Sequence, residues 1–215
     1  MPVSVHREDR GAWTQGLEAL GRRELRVEVD DPSLVDAAAE FLRSTVNASH
    51  RERVDVQGGE QVAFGSSPVR FTDADPAGPL VAHELSEPDG PFTRGVSAAA
   101  RTWNRQLSVC RRQGAEFEPP PPNALISVSD HALDADAMVH GSRHPTPSPE
   151  MSGWFLLGPG HVEGTPLRRE RIFGVVHARP EIGAYLALPS GYAFRSRPGL
   201  DPSIVWDPEI AALMR

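Results

Sequence analysis

Apolar and polar positions first alternate at Leu25, Val27 and Val29, with Arg26 and Glu28 between them. That period of two predicts a strand with one buried face. Asp31 and Pro32 follow as an N-cap and a first helical residue, and Leu34, Val35, Ala38, Phe41, Leu42 and Val46 then fall on one helical face. In RVDVQGGEQVAF (53–64), Gly58–Gly59 separates two short apolar stretches, which reads as a β-hairpin turning at the glycines. LVAHELS (80–86) is another strand candidate. Val96, Ala100, Trp103, Leu107 and Cys110 recur at spacings of three and four, predicting a helix that ends at Gly114. Trp103 is then a core anchor.

AEFEPPPPN (115–123) interrupts this pattern. Four consecutive prolines favour an extended segment that joins neither helix nor sheet, and a spacer is the expected role. The predicted division is therefore an N-terminal domain over 1–117, a linker over 118–122 and a C-terminal domain over 123–215. ALISVS (124–129) opens the second part as a strand, and residues 130–150 read as a long polar loop. GWFLLG (153–158) is the next strand, followed by short helices broken at Pro180, a strand over YAFRS (192–196) and a terminal helix capped by Asp207. Neither part alternates strand and helix regularly. The predicted class is α+β, with two small mixed sheets and packed helices rather than a doubly wound parallel fold.

Composition narrows the function classes. The chain has 215 residues and a net charge of −7, and every basic residue is arginine, a bias typical of GC-rich bacterial coding. No apolar run is long enough for a membrane span and the N-terminus lacks a signal-peptide core, so a cytoplasmic protein is expected. Neither half is basic overall. That speaks against nucleic acid or a membrane as partner and suits a basic protein partner. Cys110 stands alone, so no intramolecular disulfide forms. Its neighbours Arg111 and Arg112 favour a thiolate, but no catalytic constellation points to it, and an inert thiol is expected.

The candidate chemistry is concentrated between 130 and 150. Asp130, His131, Asp134, Asp136, His140 and His144 are residue types that bind zinc or hold a general base. A metal-assisted hydrolase using Asp130, His131, His140 and His144 is the enzymatic alternative. The His140–His144 spacing suits a helix, yet Gly141–Ser142–Arg143 and Pro145 oppose one. HExxH, CxxC and GxSxG are absent, as is a glycine-rich phosphate cradle, and no cofactor is implied. Arg168, Arg169 and Arg171 form a local basic cluster, able to bind an anion or to pair with Glu163 and Glu170.

Ser152–Gly153–Trp154–Phe155–Leu156–Leu157–Gly158 reads as a strand apolar on both faces, which is normally covered on both sides. Trp154 is expected to be mostly buried, its N–H finding one acceptor. With Pro180–Glu181–Ile182–Gly183–Ala184–Tyr185–Leu186 and Pro189–Ser190–Gly191–Tyr192–Ala193–Phe194–Arg195, it makes residues 123 to about 200 resemble the immunity-protein family numbered thirty-three in bacterial polymorphic toxin systems. Members often carry an acidic residue just before S-G-W; here Met151 stands there and Glu150 lies one place earlier. AWTQGLEALGRRELRVEV in the first half is similar to the opening of another uncharacterised bacterial family. The resemblance implies a non-catalytic binding protein that neutralises a protein toxin by covering it. Ser152, Gly153, Trp154, Glu150, Asp130 and His131 are the candidate contact residues.

Overall fold

The computed structural model describes residues 3–73, 75–146 and 148–212. The chain divides into two compact units, Met1–Asn104 and Arg105–Arg215, and the hydrophobic residues form two separate clusters. There are two mixed sheets with packed helices, the α+β class that the pattern predicts.

In the first unit, β1 (Ser4–Glu8), β2 (Gly11–Gln15), β3 (Leu25–Glu28), α1 (Val35–Glu52), β4 (Gln61–Phe64), β5 (Ser67–Thr72), β6 (Leu80–Leu85) and β7 (Phe92–Arg94) follow one another. The strand order is β1-β2-β3-β6-β5-β4, with β7 also on β6. Only β3–β6 is a parallel pair among these ladders. Leu25 and Val27 point into the core with Val29, as their alternation requires. Asp31 accepts the Ser33 N–H at 2.9 Å, and Pro32 opens a short 3-10 turn that runs into α1. The buried side of α1 sets Phe41 against Phe64, with ring centroids 4.5 Å apart.

The hairpin lies later than expected. It joins β4 to β5 through Gly65–Ser66, with Phe64 opposite Ser67. Gly58–Gly59 instead forms a turn closed by the Glu60 N–H on the Gln57 carbonyl. The polar residues Asp55 and Gln57 leave 53–57 no buried strand face, and that stretch forms no strand.

Helix α2 (Ser97–Gln113) crosses the division between the units. Val96, Ala99 and Ala100 join the first core; Val109 and Cys110 join the second. The division thus falls inside a helix rather than at 118–122. The proline run is a strap bound into the second unit. Glu118 donates its N–H to the Ala187 carbonyl at 2.9 Å, and the Pro122 carbonyl accepts from the Phe173 N–H at 3.0 Å. Prolines lack the donor for a ladder but keep acceptors and apolar rings, which suits a strap.

The second unit continues with β8 (Leu125–Val128), β9 (Val139–Arg143), β10 (Met151–Leu157), β11 (Arg168–Arg171), α3 (Ile172–Ala178), α4 (Pro180–Gly183), β12 (Tyr192–Ser196), β13 (Ser203–Trp206) and α5 (Pro208–Ala212). Its strand order is β11-β8-β10-β9-β12-β13, with β8 and β10 parallel and the other pairs antiparallel. The expected 130–150 loop contains an interior strand, β9, between β10 and β12. Val139 and Gly141 face the core, and Gly141 lies opposite Phe194. A Cβ at Gly141 would lie 2.2 Å from the Phe194 ring, so the glycine that argued against order there is what admits the aromatic. Asp207 caps α5 through the Glu209 N–H at 2.8 Å. The last residues of the expected terminal helix, 213–215, lie outside the described residues.

Candidate functional site

The S-G-W step is a β-bulge. The parallel register between β8 and β10 shifts between Met151 and Phe155, which leaves backbone groups out of ladder positions. Ser152 repairs this locally: its Oγ donates to the Leu125 carbonyl at 2.9 Å and accepts the Trp154 N–H at 3.2 Å. Gly153 takes φ +78°, and a Cβ there would lie 2.1 Å from the His144 carbonyl oxygen. No other residue fits. The bulge turns Trp154 fully into the core, where Nε1 donates to the Leu186 carbonyl at 2.9 Å and the ring tilts against Phe194 at 5.5 Å. Ser152, Gly153 and Trp154 are all buried, so none offers a side chain to a partner. In the fold the motif shapes the sheet.

Two arginines that the sequence did not single out complete this scaffold. Arg143, at the end of β9, donates to the carbonyls of Ser152 at 3.2 Å, Glu118 at 2.7 Å and Leu188 at 2.6 Å. Burial pulls its pKa below the ordinary guanidinium value. Arg179, only 2% exposed, donates to the carbonyls of Ala132, Asp134 and Ala137 and pairs with Glu181. It braces the 130–138 segment from Ala132 to Ala137. The planar guanidinium fork can satisfy several carbonyls at once, which a lysine could not.

The proposed ligands of the hydrolase alternative are not brought together. His131 is exposed, at φ +62°, with Nδ1 2.9 Å from Asp134 Oδ2. Asp130 and Glu150 are exposed too. His140 and His144 lie four residues apart along extended chain, a span of about 13 Å rather than one helical turn. His144 contacts Ser142 Oγ at 3.0 Å and sets its ring edge-on to Phe155 at 5.0 Å. Among the described residues, no group of three or more His, Cys, Asp and Glu is placed to hold a metal ion. Burial lowers the pKa of both His140 and His144, with Arg195 adding to the effect at His140. Cys110 is buried, its Sγ 3.4 Å from the Ala187 carbonyl, and desolvation pushes its pKa up to about 11. The adjacent arginines do not activate it.

The remaining candidate is the face of the second sheet opposite Trp154. Ile126, Val128, Trp154, Leu156 and Phe194 point to the helical core, so their strand neighbours point the other way. Strand pairing carries one row across that face: Arg169, Ser127, Phe155, Ser142, Ala193 and Val205. The next row holds Leu157, His140 and Arg195. Phe155, Leu157 and His140 are half-buried, Arg169, Arg171 and Arg195 are exposed, and Val205 is 53% exposed. Across all six strands there are five arginines and a single carboxylate, Glu170, which lies opposite Ile126 and so on the other face. Glu170 pairs with Arg168. Among the described residues, Arg169, Arg171 and Arg195 have no ion-pair partner. Net charge concealed this basic face.

Residues 105–206 match the family model described as the Imm33-like domain. The match covers most of the second compact unit and contains the S-G-W bulge, Arg143, Arg179 and the open sheet face. That unit is therefore similar to the Imm33-like domain, consistent with the resemblance over 123 to about 200. No curated protein and no solved structure matches the chain. Among the described residues, no helix is long and apolar enough to cross a membrane.

Proposed function

We propose that this chain is a bacterial cytoplasmic immunity protein that neutralises a protein toxin by binding and covering it, without catalysis. The observation that carries the reading is the coincidence of the Imm33-like match with one compact unit. Among the described residues, no three or more of its histidines and carboxylates converge on a metal site, whereas its sheet presents a broad, partly apolar face. Such a surface is suited to recognition, because a rigid sheet loses little conformational freedom on binding.

Co-expression tests the proposal. The toxic domain encoded by the reading frame beside the gene should arrest growth of a bacterial host, and this chain should restore it while forming a stable complex with that domain. Restored growth without a complex would contradict neutralisation by covering. Failure to restore growth would remove the immunity reading itself.

A further inference from the structure

Resting on the immunity reading, we infer that the open face of the second sheet is the docking surface and that its occupant is an acidic protein surface. The partner's complementary feature is a cluster of Asp and Glu side chains around a small apolar patch.

Three observations carry this. The first is charge. Arg169 and Arg171 on β11 and Arg195 on β12 flank the face with no carboxylate of their own sheet face to answer them. In a chain of net charge −7, carboxylates are plentiful, and several arginines elsewhere are paired with them. A guanidinium left unpaired on such a surface is available for a bidentate carboxylate. The second is chemistry at the centre. Phe155, Leu157 and Ala193 are only half-buried, and Ser127 and Ser142 between them are small. An apolar centre with an arginine rim matches the anatomy of a protein interface. The third is what the face lacks. A single-stranded polyanion binds through several stacking aromatics in a basic groove, whereas this face carries one phenylalanine and the whole protein repels polyanions. An acidic protein patch needs only local complementarity.

His140 and His144 lie on the same surface. His140 faces Leu157 and Arg195, and His144 faces Ser142 and Phe155; no acidic side chain faces either from these strands. Both are uncharged at neutral pH, so the arginines supply the charge.

The test is calorimetric titration of the full chain with the toxic domain from the neighbouring reading frame. Two charge-reversed variants, Arg169→Glu/Arg171→Glu and Arg195→Glu, are compared with Arg111→Glu/Arg112→Glu, which places the same charge on the last turn of α2. Thermal melts establish that each variant folds, and the milder Arg195→Gln stands in if a reversal does not. Both face variants should weaken binding by at least about a hundredfold, and raised salt should weaken the wild type, while the control stays within about threefold. Face variants that bind like wild type overturn the inference and leave the immunity reading intact. A wild type that does not bind the domain removes both. If a single-stranded RNA oligomer binds the wild type and not the face variants while toxin binding is unchanged, the face serves nucleic acid and the inference is wrong.

Discussion

The two units use arginine in opposite ways. In the first, six arginines pair with carboxylates on other segments, as Arg22 does with Asp55 at 2.5 Å and Arg101 with Asp30 at 2.6 Å, and Arg43 pairs with Glu40 within α1. In the second, among the described residues, only Arg168 and Arg179 form ion pairs. Arg143 and Arg179 are turned inward onto backbone carbonyls, and Arg169, Arg171 and Arg195 stand unpaired on the sheet. The first unit ties most of its arginines to its own carboxylates. The second keeps part of its surface charged, with nothing within its own sheet to stabilise it. A residue that gives no folding benefit where it stands is better explained by what it meets.

The largest expected effects sharpen this contrast at the cores. Trp154→Ala removes a fully buried indole and its hydrogen bond to Leu186, and should cost the second unit about 3–5 kcal/mol. Phe41→Ala should cost the first unit a similar amount through its stacking on Phe64. Thermal melts followed by amide exchange should show each loss mainly in its own unit, since the two clusters are separate. Equal destabilisation of both units by either substitution would show one cooperative core instead.

Next in size is Gly153→Ala. The substitution places a Cβ against the His144 carbonyl in a left-handed conformation, and should cost at least about 2 kcal/mol. If S-G-W were instead a contact motif, melting would be unchanged and partner binding lost. Cys110 supplies a check on burial in the same unit. With its pKa raised to about 11, the thiol should resist alkylation at pH 8 in the native protein and react promptly once unfolded.

How much of this was legible in the sequence follows from where local pattern and tertiary context agree. The start of the helical run at Pro32, a 3-10 turn leading into α1, was readable because Asp31, Pro32 and the apolar stripe all point one way. YAFRS was readable as a strand between turn residues, and β12 spans those residues. β9 was not readable. Its Gly141, Ser142 and Arg143 argue for a loop, and only Phe194, far along the chain, explains the glycine. The proline strap misled for a related reason: its partners Ala187 and Phe173 lie beyond any local window. The site was less legible still. The family motif marks the bulge that shapes the sheet, whereas the open face is spread over β8 to β13 and appears only once strand register aligns them.

A smaller effect is expected from pH. The folded-state pKa values of His140 and His144 lie below the ordinary 6.5 because burial disfavours the charged rings. The unfolded chain therefore takes up protons first as pH falls below 6.5. The stability these neutral rings contribute is fully present above that value and is lost as pH falls through their folded-state pKa values. His140→Gln with His144→Gln should flatten that acid slope in the melting of the second unit, and no flattening would place its origin elsewhere.

The smallest expected effect returns to the arginines. Arg22→Ala breaks a half-exposed pair with Asp55 in the first unit and should lower its stability by about 0.5–1 kcal/mol. The loss should shrink in high salt, because added ions already screen the pair. Arg195→Ala removes an exposed guanidinium with no ion-pair partner among the described residues, and should change stability by less than about 0.5 kcal/mol at any salt concentration. Melts of both variants at low and high ionic strength compare the two uses of arginine directly. If Arg195→Ala destabilises as much as Arg22→Ala, Arg195 has a structural role and its place on the face needs no partner to explain it. If it leaves the fold unchanged while partner binding falls, the charge on that sheet is kept for recognition.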